Sequence, residues 1–156
     1  MESKVKKLED LKDIGGILLH GCFDLVHIGH IRHIRYAKEH FSGPLTVTIT
    51  ADKYIRKGKG RPAFDAETRA EWLAALQDVD YVAIADEPTG ILPILTIKPD
   101  VYVKGGEYAI DGVLEAEEEA VHHIGGKVFY TEQKEGVSST RILTGQYLND
   151  RVKSWE

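Results

Sequence analysis

Two histidines and a glycine near the start of the chain have the types and the spacing of a phosphate-binding site. His27, Gly29 and His30 lie at the start of a predicted helix, so the two imidazoles share one face. The free N–H groups and the positive dipole end of a helix start attract anions, and two imidazole donors add to them. Gly29 leaves room for a bulky group, and Gly21 follows a strand where the backbone could approach a phosphate. The segment predicts a phosphate cradle; its alternative is the solvated face of an amphipathic helix.

A second polar helix start lies near the other end of the chain. Ser138 is a good N-cap, and the hydroxyls of Ser139 and Thr140 would point at the same edge of the sheet as the free N–H groups of that turn. Ordinary capping would explain this segment on its own. Two anion-binding helix starts in one α/β domain are a more specific indication of a nucleotide site than either alone.

Four cations crowd the loop after the second predicted strand. The loop reads RKGKGR and holds Arg56, Lys57, Lys59 and Arg61. Because unpaired cations are costly to bury, we expect this loop to be mobile without a ligand. With a triphosphate it is expected to close over the site and to neutralise charge as pyrophosphate leaves. A solvated basic connection is the alternative.

Apolar strands alternate with amphipathic helices along the chain. The predicted strands are 17–20, 45–50, 81–85, 101–104 and 127–131, and the predicted helices are 28–40, 65–76, 88–97, 113–124 and 138–147. Asp65 is the expected N-cap of the second helix, Pro88 is expected in the first turn of the third, and Pro93 could kink it. This alternation implies an α/β fold with one Rossmann-like, doubly wound parallel five-stranded sheet and helices on both faces. The ligand site of such a sheet lies beyond the carboxyl ends of the strands, at the topological switch point.

Composition limits the remaining function classes. The 156 residues, 42% of them hydrophobic, are expected to form a single domain over residues 1–156 with a core at about 16–148. The net charge of −5 argues against general nucleic-acid binding, and no apolar run approaches the roughly 20 residues of a membrane helix. The single cysteine, Cys22, excludes a cysteine-based zinc site. His27, His30 and His33 recur every three residues, but no further ligands accompany them that would complete a zinc site of another kind. Without a secretory signal, the cytoplasm is the expected location.

Three segments together resemble a known superfamily. Residues 21–30, GCFDLVHIGH, are similar to the signature of the HxGH nucleotidyltransferases, which include cytidylyltransferases and adenylyltransferases. Residues 135–142, EGVSSTRI, resemble the second signature of that superfamily, which holds the β- and γ-phosphates. Residues 104–108, KGGEY, resemble a segment of the heptose-1-phosphate adenylyltransferases, the C-terminal half of the bifunctional heptose enzymes, with Glu107 in place of the usual Asp. Class I aminoacyl-tRNA synthetases share the string HIGH, but they are far longer and carry a KMSKS loop that this chain lacks.

The resemblance implies a nucleotidyltransferase that joins the nucleoside monophosphate of ATP to a sugar 1-phosphate similar to heptose 1-phosphate and releases pyrophosphate. The alternative is a CTP-dependent cytidylyltransferase acting on glycerol 3-phosphate or a similar polyol phosphate; a nucleotide-binding domain without activity is a third interpretation. The attacking phosphate has a second pKa of about 6 and needs no activating base, so catalysis reduces to positioning and charge stabilisation. Mg²⁺ would arrive with the triphosphate, held mostly by substrate oxygens and water. We expect no metal site of the protein's own, no nucleic-acid or membrane partner, and consider a homodimer.

The residue types, their positions and the resemblance together give expected roles for particular residues, although one sequence does not decide which of Lys57, Lys59 and Arg61 matters most. Those expected in catalysis are His27, His30 and Lys57. Those expected to bind the nucleotide are Gly21, Cys22, Phe23, Asp24, Gly29, Lys59, Arg61, Lys134, Gly136, Ser138, Ser139 and Thr140. Those expected to bind the second substrate are Lys104, Gly105 and Glu107. Within these sets, we expect Asp24 to act as a structural or orienting residue and Cys22 as a packing residue rather than a nucleophile.

Overall fold

The computed structural model of the chain describes residues 3–105, 115–131, 143 and 145. Its strands are β1 (Ile17–Gly21), β2 (Leu45–Thr50), β3 (Tyr81–Ala85), β4 (Val101–Lys104) and β5 (Lys127–Tyr130). Its α-helices are α1 (Ile28–His40), α2 (Ala66–Ala74), α3 (Ile91–Ile97) and α4 (Glu115–His123). None of the helices within the described ranges has the length and apolarity needed to cross a membrane.

The five strands form one sheet in the order β3-β2-β1-β4-β5, and every pair of neighbours is parallel. One face is covered by α1 and α2, which contribute Ile34 and Leu73 to a core with the side chains of β2. The other face is covered by α3 and α4, which contribute Ile94 and Val121 to a second core. The predicted doubly wound sheet with helices on both faces is therefore confirmed.

The topological switch point lies between β1 and β4. The chain adds β2 and β3 on one side of β1 and then crosses to add β4 and β5 on the other, with Leu18 paired to Tyr102 across the junction. At the carboxyl edge of this junction β1 ends at Gly21 and β4 ends at Lys104. The segment that leads into α1 starts from the same edge, so the fold brings His27, His30 and Lys104 to one end of the sheet.

The observed helix bounds correct several predictions. The third helix begins at Ile91 with Gly90 as its N-cap, so the expected start at Pro88 is wrong. Pro93 lies in the first turn of α3, where a missing N–H forfeits no helical hydrogen bond, so the kink does not arise. The second helix ends at Ala74, two residues early, whereas its N-cap, Asp65, is confirmed by a 2.8 Å hydrogen bond from the backbone N–H of Thr68. The helix predicted over 138–147 lies outside the described residues except for positions 143 and 145.

The segment before the first strand protects one edge of the sheet, which sequence patterning did not predict. The backbone N–H of Lys6 donates to the Val82 carbonyl at 2.8 Å, and the N–H of Val82 donates to the Lys4 carbonyl at 2.9 Å. Val5 thereby pairs in parallel with Val82 in β3. The pairing satisfies backbone groups that an edge strand would otherwise expose to other chains.

Candidate phosphate-binding site

Helix α1 begins with two stacked imidazoles that cap it. His27 is the N-cap, and its Nδ1 accepts the backbone N–H of Gly29 at 3.0 Å. The Nδ1 of His30 accepts the backbone N–H of His27 at 3.2 Å, and the two ring centroids lie 3.9 Å apart. The arrangement is a capping box built from imidazoles in place of the usual hydroxyl and carboxylate. Because both Nδ1 atoms accept hydrogen bonds, each neutral ring carries its proton on Nε2 and has an N–H donor there.

Both capping histidines are neutral at physiological pH. Burial lowers the pKa of His27 below its ordinary value. Burial, with the nearby His27, His33 and Lys57, lowers the pKa of His30 to about 3. Both rings are half-buried, and the His30 ring packs 4.8 Å from that of Phe23. The alternative of a solvated helix face therefore does not fit these two residues.

The glycines of the segment make room for its own rings, and the approach of a ligand to their backbone stays a prediction. A Cβ atom on Gly29 would lie 2.8 Å from Cε1 of His27, so a side chain there would displace the capping imidazole. A Cβ atom on Gly21 would lie 3.1 Å from the ring of Phe23. Substitution at either position would therefore disturb the rings that shape the helix start.

The carboxylate of Asp24 anchors the end of the cationic loop. Its Oδ2 accepts hydrogen bonds from Nε of Arg61 at 2.9 Å and from the backbone N–H of Ala63 at 2.8 Å. Its Oδ1 accepts the backbone N–H of Phe64 at 3.0 Å. Burial alone would raise the pKa of Asp24, but the hydrogen bonds from Arg61 and from these two N–H groups outweigh burial and hold the pKa below its ordinary value. The geometry agrees with the expected orienting role and directs both oxygens toward the loop.

The cations of the loop fall into two groups. The side chain of Arg61 is only 6% exposed and is paired with Asp24. Arg56, Lys57 and Lys59 are exposed, and Lys57 lies near enough to His30 to contribute to the lowered pKa of that ring. The loop is thus fixed at its Arg61 end and presents cations to solvent beside the start of α1. Whether the exposed part moves stays a prediction.

Arg69 is the residue of this region that the sequence analysis missed. Its side chain is fully buried, with Nη1 donating to the carbonyls of Cys22 at 2.8 Å and Thr50 at 2.9 Å. Its Nε donates to the Phe64 carbonyl at 2.9 Å, and its Nη2 pairs with Asp52 at 2.5 Å. One guanidinium therefore joins the segments that follow β1 and β2 to the end of the cationic loop. An arginine on the face of α2 that buries Ala66, Ala70 and Leu73 is the signal that could have revealed it.

Lys104 lies on the opposite side of the switch point, at the end of β4. Its side chain is buried, and Nζ donates to the His20 carbonyl at 2.9 Å. Burial and this ammonium group lower the pKa of His20 to about 3 and that of His33 to about 4. Gly105 is half-buried, and Glu107 lies outside the described residues.

A buried carboxylate supports the strand that carries Lys104. Glu117 on α4 accepts the Tyr102 hydroxyl at 2.8 Å and the backbone N–H of Gly90 at 3.0 Å. The contact joins α4, β4 and the start of α3. Glu117 is buried, and its two hydrogen-bond partners compensate the cost of that burial.

The predicted second anion site cannot be compared with the structure, because Lys134, Gly136, Ser138, Ser139 and Thr140 lie outside the described residues. The structure does bring the His27 and His30 rings into contact at the carboxyl edge of the sheet. Lys57 lies near His30, and Lys104 lies near His33 one turn further along α1. Two neutral imidazole donors at a helix start, with cations beside them, can bind phosphate oxygens and stabilise charge that develops on them.

The sequence of the chain is similar to those of known proteins. Residues 18–145 match the family described as Cytidylyltransferase-like. The chain is 38% identical to the Bifunctional protein HldE of Geobacter sulfurreducens over 153 residues, which are 91% of this chain and 31% of that protein. It is 43% identical to the Bifunctional protein HldE of Koribacter versatilis over 129 residues, 81% of this chain and 26% of that protein. The chain thus spans about a third of the length of these relatives or less.

Solved structures agree with the fold. The crystal structure of the lipopolysaccharide core biosynthesis protein from Thermoplasma volcanium superposes with a TM-score of 0.62 at 23% identity, covering 79% of this chain and 98% of that one. The pantoate-beta-alanine ligase of Francisella tularensis, complexed with beta-gamma ATP and beta-alanine, gives a TM-score of 0.58 at 12% identity, covering 88% and 72%. At these identities the likeness concerns the fold alone.

Proposed function

The chain belongs to the cytidylyltransferase-like family, and from this membership we propose that it is a nucleotidyltransferase that transfers AMP from ATP to a sugar 1-phosphate of the heptose 1-phosphate class. The observation that carries the proposal is the pair of neutral imidazoles, His27 and His30, with their Nε2–H groups at the start of α1. The KGGEY segment that begins at Lys104 and the relatives named HldE favour the sugar phosphate as acceptor.

The proposed reaction is a displacement at the α-phosphorus. An oxygen of the sugar phosphate forms a bond to the α-phosphorus, the bond from that phosphorus to the bridging oxygen of the β-phosphate breaks, and pyrophosphate leaves with the electron pair. The Nε2–H groups of His27 and His30 donate to α- and β-phosphate oxygens, and Lys57 neutralises charge on the leaving group. The nucleophile is already ionised near neutral pH, since its second pKa is about 6, so no protein base takes part.

The nucleotide substrate is taken to be the magnesium complex of ATP. Both oxygens of Asp24 already accept hydrogen bonds from Arg61, Ala63 and Phe64, so this carboxylate does not suit a cation. Within residues 3–105 and 115–131, no group of three His, Cys, Asp or Glu side chains could hold a metal ion. The triphosphate and water are proposed to supply most of the Mg²⁺ ligands.

The test is pyrophosphate release by the full chain with ATP or CTP paired with heptose 1-phosphate, another sugar 1-phosphate or glycerol 3-phosphate. Turnover with ATP and heptose 1-phosphate, abolished by a chelator of divalent metal, is the expected result. Turnover confined to CTP and glycerol 3-phosphate would establish the cytidylyltransferase alternative instead. No turnover with any pair, although nucleotide binds, would establish a binding domain without activity.

The proposal extends to the setting of the enzyme. We propose that it works in the cytoplasm on small phosphorylated substrates, without a nucleic-acid or membrane partner. Sedimentation of the purified chain tests the homodimer: twice the monomer mass supports it, and the monomer mass contradicts it.

The exposed lysines of the loop are expected to serve catalysis rather than folding. Replacing Lys57 and Lys59 together with alanine should lower kcat/KM at least about tenfold, because two cations beside the leaving group are lost. The free energy of unfolding should change by no more than about 0.5 kcal/mol, as is usual for exposed side chains. Steady-state kinetics and urea denaturation measure the two quantities.

A matched control is the double replacement of Lys7 and Lys12 with alanine. Both are exposed lysines at the amino-terminal end of the described chain, far in sequence from the loop. Their replacement removes the same formal charge and should leave kcat/KM unchanged.

Proteolysis between Lys57 and Arg61, compared with and without ATP, tests whether the loop closes. Equal cleavage in both states with unchanged kinetics would show that this segment is a solvated connection only.

A further inference from the structure

His33 is a third imidazole of α1 that the proposed reaction does not use. It lies three residues after His30 and is half-buried. Its Nδ1 is 2.9 Å from the Thr131 hydroxyl. Thr131 directly follows β5, and its backbone N–H donates to the Lys104 carbonyl at 2.9 Å. A short chain of contacts therefore runs from α1, through Thr131, to the end of β4.

The contacts of His33 differ from those of the two capping histidines. The Nδ1 atoms of His27 and His30 each accept a backbone N–H at the start of α1 itself. The Nδ1 of His33 instead faces the hydroxyl of Thr131, which lies on another element and 3.4 Å from the Lys104 carbonyl. The side chain of His33 therefore links α1 to the segment that follows β5.

The link joins the two halves of the proposed site. On one side is the start of α1, which carries the imidazoles proposed to bind the nucleotide. On the other side is Lys104, whose ammonium is held by the His20 carbonyl and whose own carbonyl accepts twice from Thr131. The ammonium is close enough to His33 to lower its pKa, and His33 in turn contributes to the lowered pKa of His30. The three groups are thus neighbours across the switch point.

We propose that His33, acting through Thr131, is a positioning residue that sets the distance between the phosphate-binding start of α1 and Lys104. It thereby aligns the acceptor sugar phosphate with the α-phosphorus of the nucleotide. This inference rests on the proposed function. A displacement of about 1 Å at a reacting centre can cost on the order of 100-fold in rate, so a link of this kind has a measurable kinetic effect.

The test compares variants that break the link with one that keeps it. Thr131→Val removes the hydroxyl and keeps the shape of the side chain, and His33→Phe keeps a ring without hydrogen-bonding atoms. Each should lower kcat/KM for the sugar phosphate by about tenfold and leave the KM for ATP within about twofold, since the capping histidines remain in place. Thr131→Ser retains the hydroxyl and should stay near wild type. The double variant should be no worse than either single one, because both break the same link.

His40→Phe is the control for a histidine lost from the same helix. His40 is exposed, and its Nδ1 lies 2.8 Å from the carbonyl of Tyr36 at the far end of α1. The His40→Phe variant should leave all kinetic constants unchanged. If Thr131→Val does not fold, His33→Phe and Thr131→Ser still provide the comparison.

The outcomes separate the inference from the function on which it rests. A wild-type chain without turnover overturns both. An active wild type whose His33→Phe variant keeps the kcat/KM for the sugar phosphate overturns the inference alone. Equal losses for ATP and sugar phosphate, accompanied by a lower melting temperature, would show a merely structural contact and also overturn it. A loss confined to the sugar phosphate, restored in Thr131→Ser, supports it.

Discussion

Replacing His27 or His30 with alanine is expected to lower turnover at least about 100-fold, the loss typical of removing one donor to a developing charge. The reason is that each neutral ring offers a single Nε2–H donor, held in direction by the hydrogen bond at its Nδ1. Loss of a capping side chain costs about 1 kcal/mol, so both variants should remain folded. Steady-state kinetics and thermal melts of the two variants provide the measurement.

Two further variants show whether the donor or the cap is responsible. His40→Ala removes an exposed histidine from the other end of α1 and should leave turnover unchanged. His27→Asp keeps an acceptor for the N–H of Gly29, and thus the cap, but has no donor for a phosphate. It should be as inactive as His27→Ala while melting close to wild type. Near-normal turnover in the alanine variants would remove both histidines from the catalytic site.

The positions of the two capping histidines could be predicted from the sequence because the relevant physics is local. A helix start, a spacing of three residues and two imidazoles are all contained in four consecutive residues. The ring orientations could not be predicted in the same way. They depend on Phe23, which packs beside His30, and on two glycines whose missing side chains make space for rings. The local pattern therefore located the two imidazoles but did not reveal that the glycines make space for the rings.

The doubly wound sheet was predictable because short apolar strands alternate with amphipathic helices along the chain. The start of α3 was not, because one of the backbone groups at that start finds its partner elsewhere in the fold. The N–H of Gly90 donates to Glu117, a residue 27 positions away, and the N–H of Leu92 donates to Glu87. These carboxylates decide where the helix begins, whereas Pro88 only permits a start.

The anchors of the cationic loop were missed for a related reason. Arg61 and Asp24 are 37 residues apart, and neither the loop composition nor the strand pattern indicates their pairing. The prediction of a loop that is mobile without a ligand treated the four cations as one group. Burial separates them into an anchor, Arg61, and three exposed side chains.

Arg69 extends this argument to the whole carboxyl edge of the sheet. Replacing it with methionine should lower the free energy of unfolding by about 3–5 kcal/mol, the usual cost of removing one partner from a buried charged network. The carbonyls of Cys22 and Thr50 would lose a buried donor that no neighbouring side chain replaces without rearrangement. Urea denaturation of the wild type and the variant measures the loss.

Arg69→Lys and Arg56→Met make that result interpretable. Lysine keeps the charge but not the planar set of donors that reaches Cys22, Phe64 and Asp52 at once, so its loss of stability should be smaller but clear. Arg56 is an exposed arginine of the cationic loop, and its replacement should change stability by no more than about 0.5 kcal/mol. A loss below about 1 kcal/mol for Arg69→Met would contradict the network as a stabilising element.

The same guanidinium holds the segments after β1 and β2. The Arg69→Lys variant should therefore also lose turnover while it is still folded. Such a loss would link the stability of this edge to the alignment of the site.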